Sequence, residues 1–155
     1  MKAVVQRVTR AEVRVDGESI GKIDAGALVL LGVMQGDARE QAIRLAERIA
    51  RLRFFADEHG RMNLSALDLG RSILVVSQFT LAADCRKGRR PSFTTAAAPE
   101  LAEPLYESFC DCLENLGLTV KHGIFGAMMA VELVNDGPVT LQIEEVAAPD
   151  PSSVV

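Results

Sequence analysis

Residues 77–80 read Ser-Gln-Phe-Thr, two hydroxyls and a carboxamide following the apolar run Ile73–Val76. Polar groups at the end of a buried strand cost stability unless something bonds to them. Their types suggest chemistry at a carbonyl, where a Thr or Ser hydroxyl attacks once an adjacent base takes its proton. No His, Lys, Asp or Glu stands at a spacing that marks it as that base. Asp84 is near in sequence but lies beside four cations, where an ion pair is the expected role. A conventional triad is therefore unsupported. A site made of backbone donors and groups of the substrate stays open, because each oxyanion donor can supply about 10²–10³ in rate.

Two further stretches stand out. "CRKGRRP" sets Arg86, Lys87, Arg89 and Arg90 within five residues, which suits either a solvated loop tip or one phosphate-rich ligand held at one place. "NDGPVT" at 135–140 reads as a hairpin turn between two apolar strands. Pro138 then stands where a ladder would want an N–H, so a bulge, an edge position or a cis bond must accommodate it.

The elements that must position these residues follow from periodicity. Val13 and Val15 alternate with charged residues, "DGES" reads as a turn, and "IGKI" as a returning strand. "GALVLLGVM" is a central strand covered on both faces. Asp37 and Glu40 form a capping box for a helix to about Leu52, with Ile43, Ala46, Ile49 and Ala50 as its buried stripe. A strand spans 72–80. A second helix starts at Pro99 and Pro104 and stops at Gly117, with Leu101, Leu105, Phe109, Leu113 and Leu116 facing inward. The expected class is α+β: a single compact domain with a curved mixed sheet and two main helices.

The 155 residues suffice for one domain, 48% of them are hydrophobic, and the net charge of −4 argues against nucleic-acid binding over the whole surface. Three cysteines without a metal-type spacing and only two histidines, His59 and His122, argue against a disulfide scaffold or a zinc site. No apolar run is long enough to span a bilayer, and the charged N-terminus is no secretory signal, so a cytoplasmic protein is expected.

Taken together, "MKAVVQRVTRAEVRVDG", "SQFTL", "KGRRPSF", "FGAMM" and "NDGPVT" make the chain resemble the D-aminoacyl-tRNA deacylases along nearly its whole length. The resemblance implies hydrolysis of the ester joining a D-amino acid, or mischarged glycine, to the terminal adenosine of tRNA. It implies a deacylase domain with a β-barrel-like core over residues 1–146; the Pro- and Ser-bearing stretch 147–155 departs from the family pattern and is expected, from its composition, to be a flexible tail. Its partners would be aminoacyl-tRNA and a second copy of the chain that shares the active site, with no cofactor, metal, membrane or DNA. Ser77, Gln78, Phe79 and Thr80 would line the catalytic end. Gly137 and Pro138, the family's Gly-cisPro pair, would reach into the partner's pocket and exclude an L side chain. Phe125 and Met129 would wall the adenosine pocket, Arg7 would brace the Gly-Pro loop, and Arg86, Lys87, Arg89 and Arg90 would meet tRNA phosphates. Assistance by the ribose 2′-hydroxyl is the preferred mechanism. A covalent Thr80 in a generic esterase, or an RNA- or nucleotide-binding module without activity, are the alternatives.

Overall fold

The first strand, β1 (Lys2–Val15), organises the molecule. Along one edge it pairs with the 15-residue β8 (Ala130–Glu144). Its other edge is divided: residues 2–8 pair with β3 (Gly26–Gly32), and residues 11–15 with β2 (Glu18–Ile23) across the two-residue turn at Asp16 and Gly17. From β3 the sheet continues to β6 (Ser72–Ser77) and β7 (Val120–His122), both parallel to it. β2 packs over β6 and β7, so the sheet nearly closes into a barrel. Short strands β4 (Phe55–Ala56) and β5 (Met62–Leu64) form a separate hairpin. The computed structural model describes residues 1–146, which form one domain; the expected tail, 147–155, lies outside the described residues.

The strictly apolar strands have two buried faces, as "GALVLLG" and "SILVVS" require. Ala27, Val29, Leu31, Ile73 and Val75 face helices α1 (Arg39–Arg51) and α3 (Pro99–Asn115). Leu28, Leu74 and Val76 face the barrel interior, with Val8, Ala11, Val13 and Ile23. Each of the Val, Leu and Ile side chains among them contributes about 1.5–3 kcal/mol through burial. A short α2 (Ala66–Leu69) is capped by Ser65, whose hydroxyl accepts the Asp68 N–H at 3.1 Å.

Local expectations shift at four places. The N-cap of α1 is Ala38, one residue later than expected, and Gln41 rather than Glu40 reaches back, its Oε1 accepting the Ala38 N–H at 2.8 Å. The Asp37 carboxylate instead accepts the Met34 N–H and bonds the Met1 ammonium; the stripe of α1 is Ala42, Leu45, Ala46, Ile49 and Ala50, with Ile43 at its margin. In α3 the buried residues are Ala102, Tyr106, Phe109, Cys110 and Leu113, while Leu101 is 67% exposed. Phe109 and Leu113 of the expected stripe are buried and Leu105 and Leu116 pack against the same core, while the Tyr106 hydroxyl joins it by donating to the Val75 carbonyl at 2.9 Å. The strand expected over 72–80 ends at Ser77, followed by a 3-10 turn, Phe79–Ala82. The expected hairpin at 135–140 is absent: β8 runs through it as one strand. No described helix is long and apolar enough to cross a membrane.

Candidate active site

β3, β6 and β7 run in one direction, so their carboxyl ends at Gly32, Ser77 and His122 lie at the same end of the sheet. The crevice beyond such strand ends is the usual ligand position in α/β architectures. Here the chain places Gln78 to Thr80, the long connection 83–98, and the 123–129 loop.

Gln78 leaves the ladder by donating its N–H to the Leu31 carbonyl at 2.7 Å, and its own carbonyl accepts from Leu81 N at 3.2 Å. That bond closes the 3-10 turn, which leaves the turn's first amides free. The N–H groups of Phe79 and Thr80 have no acceptor among the described residues. Gly32 permits this packing: a Cβ there would stand 3.0 Å from the Gln78 carbonyl and from Leu81 Cβ. The Gln78 carboxamide donates to Thr80 Oγ1. An amide is no proton acceptor at neutral pH whichever way it is turned, so the Thr80 hydroxyl has no base. Gly17 to Gly21 matches Gly-x-Ser-x-Gly letter for letter. Its Ser19 sits in the β1–β2 hairpin rather than on a strand-to-helix turn, so it is no nucleophile elbow either.

The basic segment forms a narrow loop closed by Asp84 and Ser92, whose backbones exchange hydrogen bonds of 2.8 and 3.0 Å. Asp84 takes both guanidinium bonds of Arg86, at 2.9 and 2.7 Å. These bonds, and that from the Arg86 amide, hold the Asp84 carboxyl well below the usual carboxylate range. Arg86 is thus neutralised locally. Lys87, Arg89 and Arg90 are exposed and have no acidic partner among the described residues. Phe93, just beyond the loop, meets the half-exposed Phe79 ring edge-on, with centroids 5.2 Å apart; its place two residues after Pro91 gave no hint of that contact. On the 123–129 loop Phe125 packs against Tyr106 and the helix-side core, and Met129 against the barrel interior.

Gly137 and Pro138 lie elsewhere. Thr140 pairs with Gln6 and Asn135 with Val8, so residues 136–139 are extruded from β8 as a bulge. The Gly137–Pro138 peptide is cis, with Gly137 at φ +119°. Arg7 grips this tip: its Nε lies 3.0 Å from Asp136 Oδ2, and its Nη1 donates to the Phe54 carbonyl at 2.8 Å. On the other side Asn135 Oδ1 accepts the Val139 N–H at 3.0 Å, and Asn135 Nδ2 donates to Thr140 Oγ1 at 2.9 Å. Asn135 was not singled out from sequence. The signal was there, since Pro138 lacks an N–H and an Asn side chain can stand in for backbone in such turns.

Within one chain the two halves are far apart. Ser77 is level with Leu31, Ala3 and Ile143 across four strands, whereas Gly137 lies beyond Thr140. The 3-10 turn reaches the start of β1 and the end of β8, where Leu81 lies beside Ala3 and Ile143, whereas the tip is extruded on the other side of Thr140.

Comparison with known proteins gives a consistent result. The model of the family described as D-Tyr-tRNA(Tyr) deacylase matches residues 4–144. A protein of Halalkalibacterium halodurans named D-aminoacyl-tRNA deacylase is 58% identical over 144 residues, covering 93% of this chain and 99% of its own length. One of Thermus aquaticus with the same name is 56% identical over 149 residues, covering 96% and 98%. Among solved structures, a c-Myc DNA unwinding element binding protein superposes with a TM-score of 0.88 at 45% identity, over 95% of this chain and all of its own. A probable eukaryotic D-amino acid tRNA deacylase shares the fold, with a TM-score of 0.78 at 17% identity over 92% and 97% of the two chains.

Proposed function

The chain belongs to the D-Tyr-tRNA(Tyr) deacylase family and hydrolyses the ester of D-aminoacyl-tRNA, and on that premise we propose that two copies build each active site and that the RNA supplies the missing reactive hydroxyl. The observation that carries this reading is the pair of unpartnered amides at Phe79 and Thr80 beside a Thr hydroxyl with no base. Such a turn stabilises an oxyanion but does not activate a nucleophile. Water adds to the ester carbonyl, the Phe79 and Thr80 N–H groups hold the resulting oxyanion, and the bond to the 3′-oxygen breaks. The 2′-hydroxyl on the neighbouring ribose carbon helps move the proton from the attacking water to the leaving 3′-oxygen. The protein's contribution is position.

Chirality is read by the other half. Gly137 and Pro138 of the partner subunit are proposed to enter this end of the sheet and face the α-amino group, leaving no room for an L side chain. A rigid backbone tip rejects by position and does not read side-chain identity, so glycine mischarged on tRNA also passes. The separation of the two halves within one chain favours this shared arrangement over a self-contained monomer. Phe125 and Met129 border the adenosine. The 45% identical structural neighbour carries a name that refers to DNA. In this chain, a net charge of −4 with one short basic loop favours a single RNA terminus over a duplex face. The work is placed in the cytoplasm, where charged tRNA is used.

The deciding experiment offers purified protein D-tyrosyl-tRNA and L-tyrosyl-tRNA. Rapid loss of the D ester with the L ester intact is expected, and equal rates or no D-hydrolysis would overturn the function.

The basic loop yields a separate expectation. Replacing Lys87, Arg89 and Arg90 together by Ala should flatten the dependence of log KM on log salt by about 2–3, at about 0.7–0.9 per phosphate contact. Arg86→Ala should change that slope far less, because Asp84 already matches its charge. An unchanged slope in the triple variant would take the phosphates away from this loop.

A further inference from the structure

We infer that Asn135, with Thr140 and Gln6 behind it, is a positioning residue that sets how far the Gly137–Pro138 tip projects and thereby how strictly L-substrates are refused. The inference rests on the proposed role of that tip. An extruded segment of a strand has no ladder to fix it, and its shape is decided at its base. The side chains there are specific. Asn135 is the last paired residue before the bulge, and Thr140 the first after it. The Asn135 side chain joins the two: Oδ1 takes the Val139 N–H at 3.0 Å, and Nδ2 donates to Thr140 Oγ1 at 2.9 Å. Gln6 Nε2, across the ladder on β1, donates to the same hydroxyl at 3.2 Å.

Arg7 reaches the bulge from the opposite side, by way of Asp136. Its bonds hold the leading limb, whereas nothing in them constrains the trailing limb, Pro138 to Thr140. Pro138 offers no N–H, so Val139 provides the first backbone donor after the tip, and Asn135 takes it. The two grips thus act on different limbs. Losing the Asn135 grip leaves the trailing limb held only by the packing of Val139 on the core, so its backbone can shift while β1–β8 pairing on both sides persists. A displacement near 1 Å at a reacting site costs about 10²-fold in rate. A tip that rejects by contact would lose refusal of L-substrates by the same movement.

The test compares wild-type protein with Asn135→Leu, Thr140→Val and Thr140→Ser, by the ratio of kcat/KM on D-tyrosyl-tRNA to that on L-tyrosyl-tRNA, with thermal unfolding in parallel. Asn135→Leu keeps the side-chain size and removes both bonds, so its D/L ratio should fall about tenfold or more while its unfolding stays cooperative. Thr140→Val should move the ratio in the same direction, and Thr140→Ser, which keeps the hydroxyl, should restore it. A folded Asn135→Leu with a D/L ratio within twofold of wild type overturns the inference. Should Asn135→Leu not fold, the Thr140 pair decides: equal ratios in the Val and Ser variants overturn it. Absence of D-hydrolysis in the wild type would instead overturn the functional reading itself, which separates the two failures.

Discussion

Gly137→Ala is expected to lose at least about 10²-fold in kcat/KM on D-aminoacyl-tRNA while remaining folded. Two features of the tip combine. Gly137 has φ +119°, a region that L side chains rarely adopt. A Cβ there would also stand 2.7 Å from Arg7 Nη2 and 3.0 Å from Val139 Cγ2. The guanidinium must therefore withdraw, loosening the ion pair with Asp136 and the bond to the Phe54 carbonyl. Backbone strain of this kind costs on the order of 1–3 kcal/mol, which for a chain this long lowers Tm by about 2–12 °C. The added methyl points at Arg7 and Val139 of its own chain, so on the proposed role of the tip it acts by displacing the Gly137–Pro138 backbone from the position that faces the substrate. The measurement is single-turnover deacylation beside a melting curve. Unaltered D-substrate kinetics would remove this loop from the active site.

The second large effect concerns the RNA. Replacing the 2′-hydroxyl of the terminal adenosine by hydrogen should depress cleavage by about 10²–10⁴-fold, the usual worth of a positioned proton-transfer group. Thr80→Ala should in contrast cost no more than about tenfold, since only its bond with the Gln78 carboxamide is lost. The magnitudes separate the mechanisms. Removal of a true covalent nucleophile costs on the order of 10⁶-fold. Should Thr80→Ala be inert and folded, with the deoxy substrate cleaved at the normal rate, the covalent route holds and RNA assistance fails.

Much of this was legible in the sequence. Two-sided burial of "GALVLLG" and "SILVVS" followed from their unbroken apolar character, and the Asp16–Gly17 turn from its residue types. The helices were located as well, and of the expected α3 stripe only Leu101 stays out of the core, which Tyr106 joins through its buried hydroxyl bond. The ends of elements were less legible. Nothing local to Ser77 announces that Leu31 will capture the Gln78 amide and convert the strand end into a 3-10 turn. The 135–140 stretch was misread for a similar reason: "NDGPVT" has good hairpin residues, and only β1, more than 120 positions earlier, keeps both flanks on one line. Asp84 was read correctly as an ion-pair partner. Its exclusive capture of Arg86, which leaves the other cations unmatched, needed coordinates. The basic loop and the deacylase resemblance were legible in full, because both are matters of residue type and not of distant pairing.

The bulge on β8 returns to the same partner strand that it left. Strand pairing thus resumes on both sides of the tip, with one further register shift between Val8 and Arg10, and within the tip Val139 packs against the helix-side core. Strain at the tip costs some stability, yet it leaves the β1–β8 pairing on both sides in place. On the proposed role of the tip, changes at Asp136, Gly137 and Pro138 alter which substrates are refused while β1 and β8 go on holding the barrel together. A tip with the proposed role is thereby open to sequence change at a modest cost to the fold.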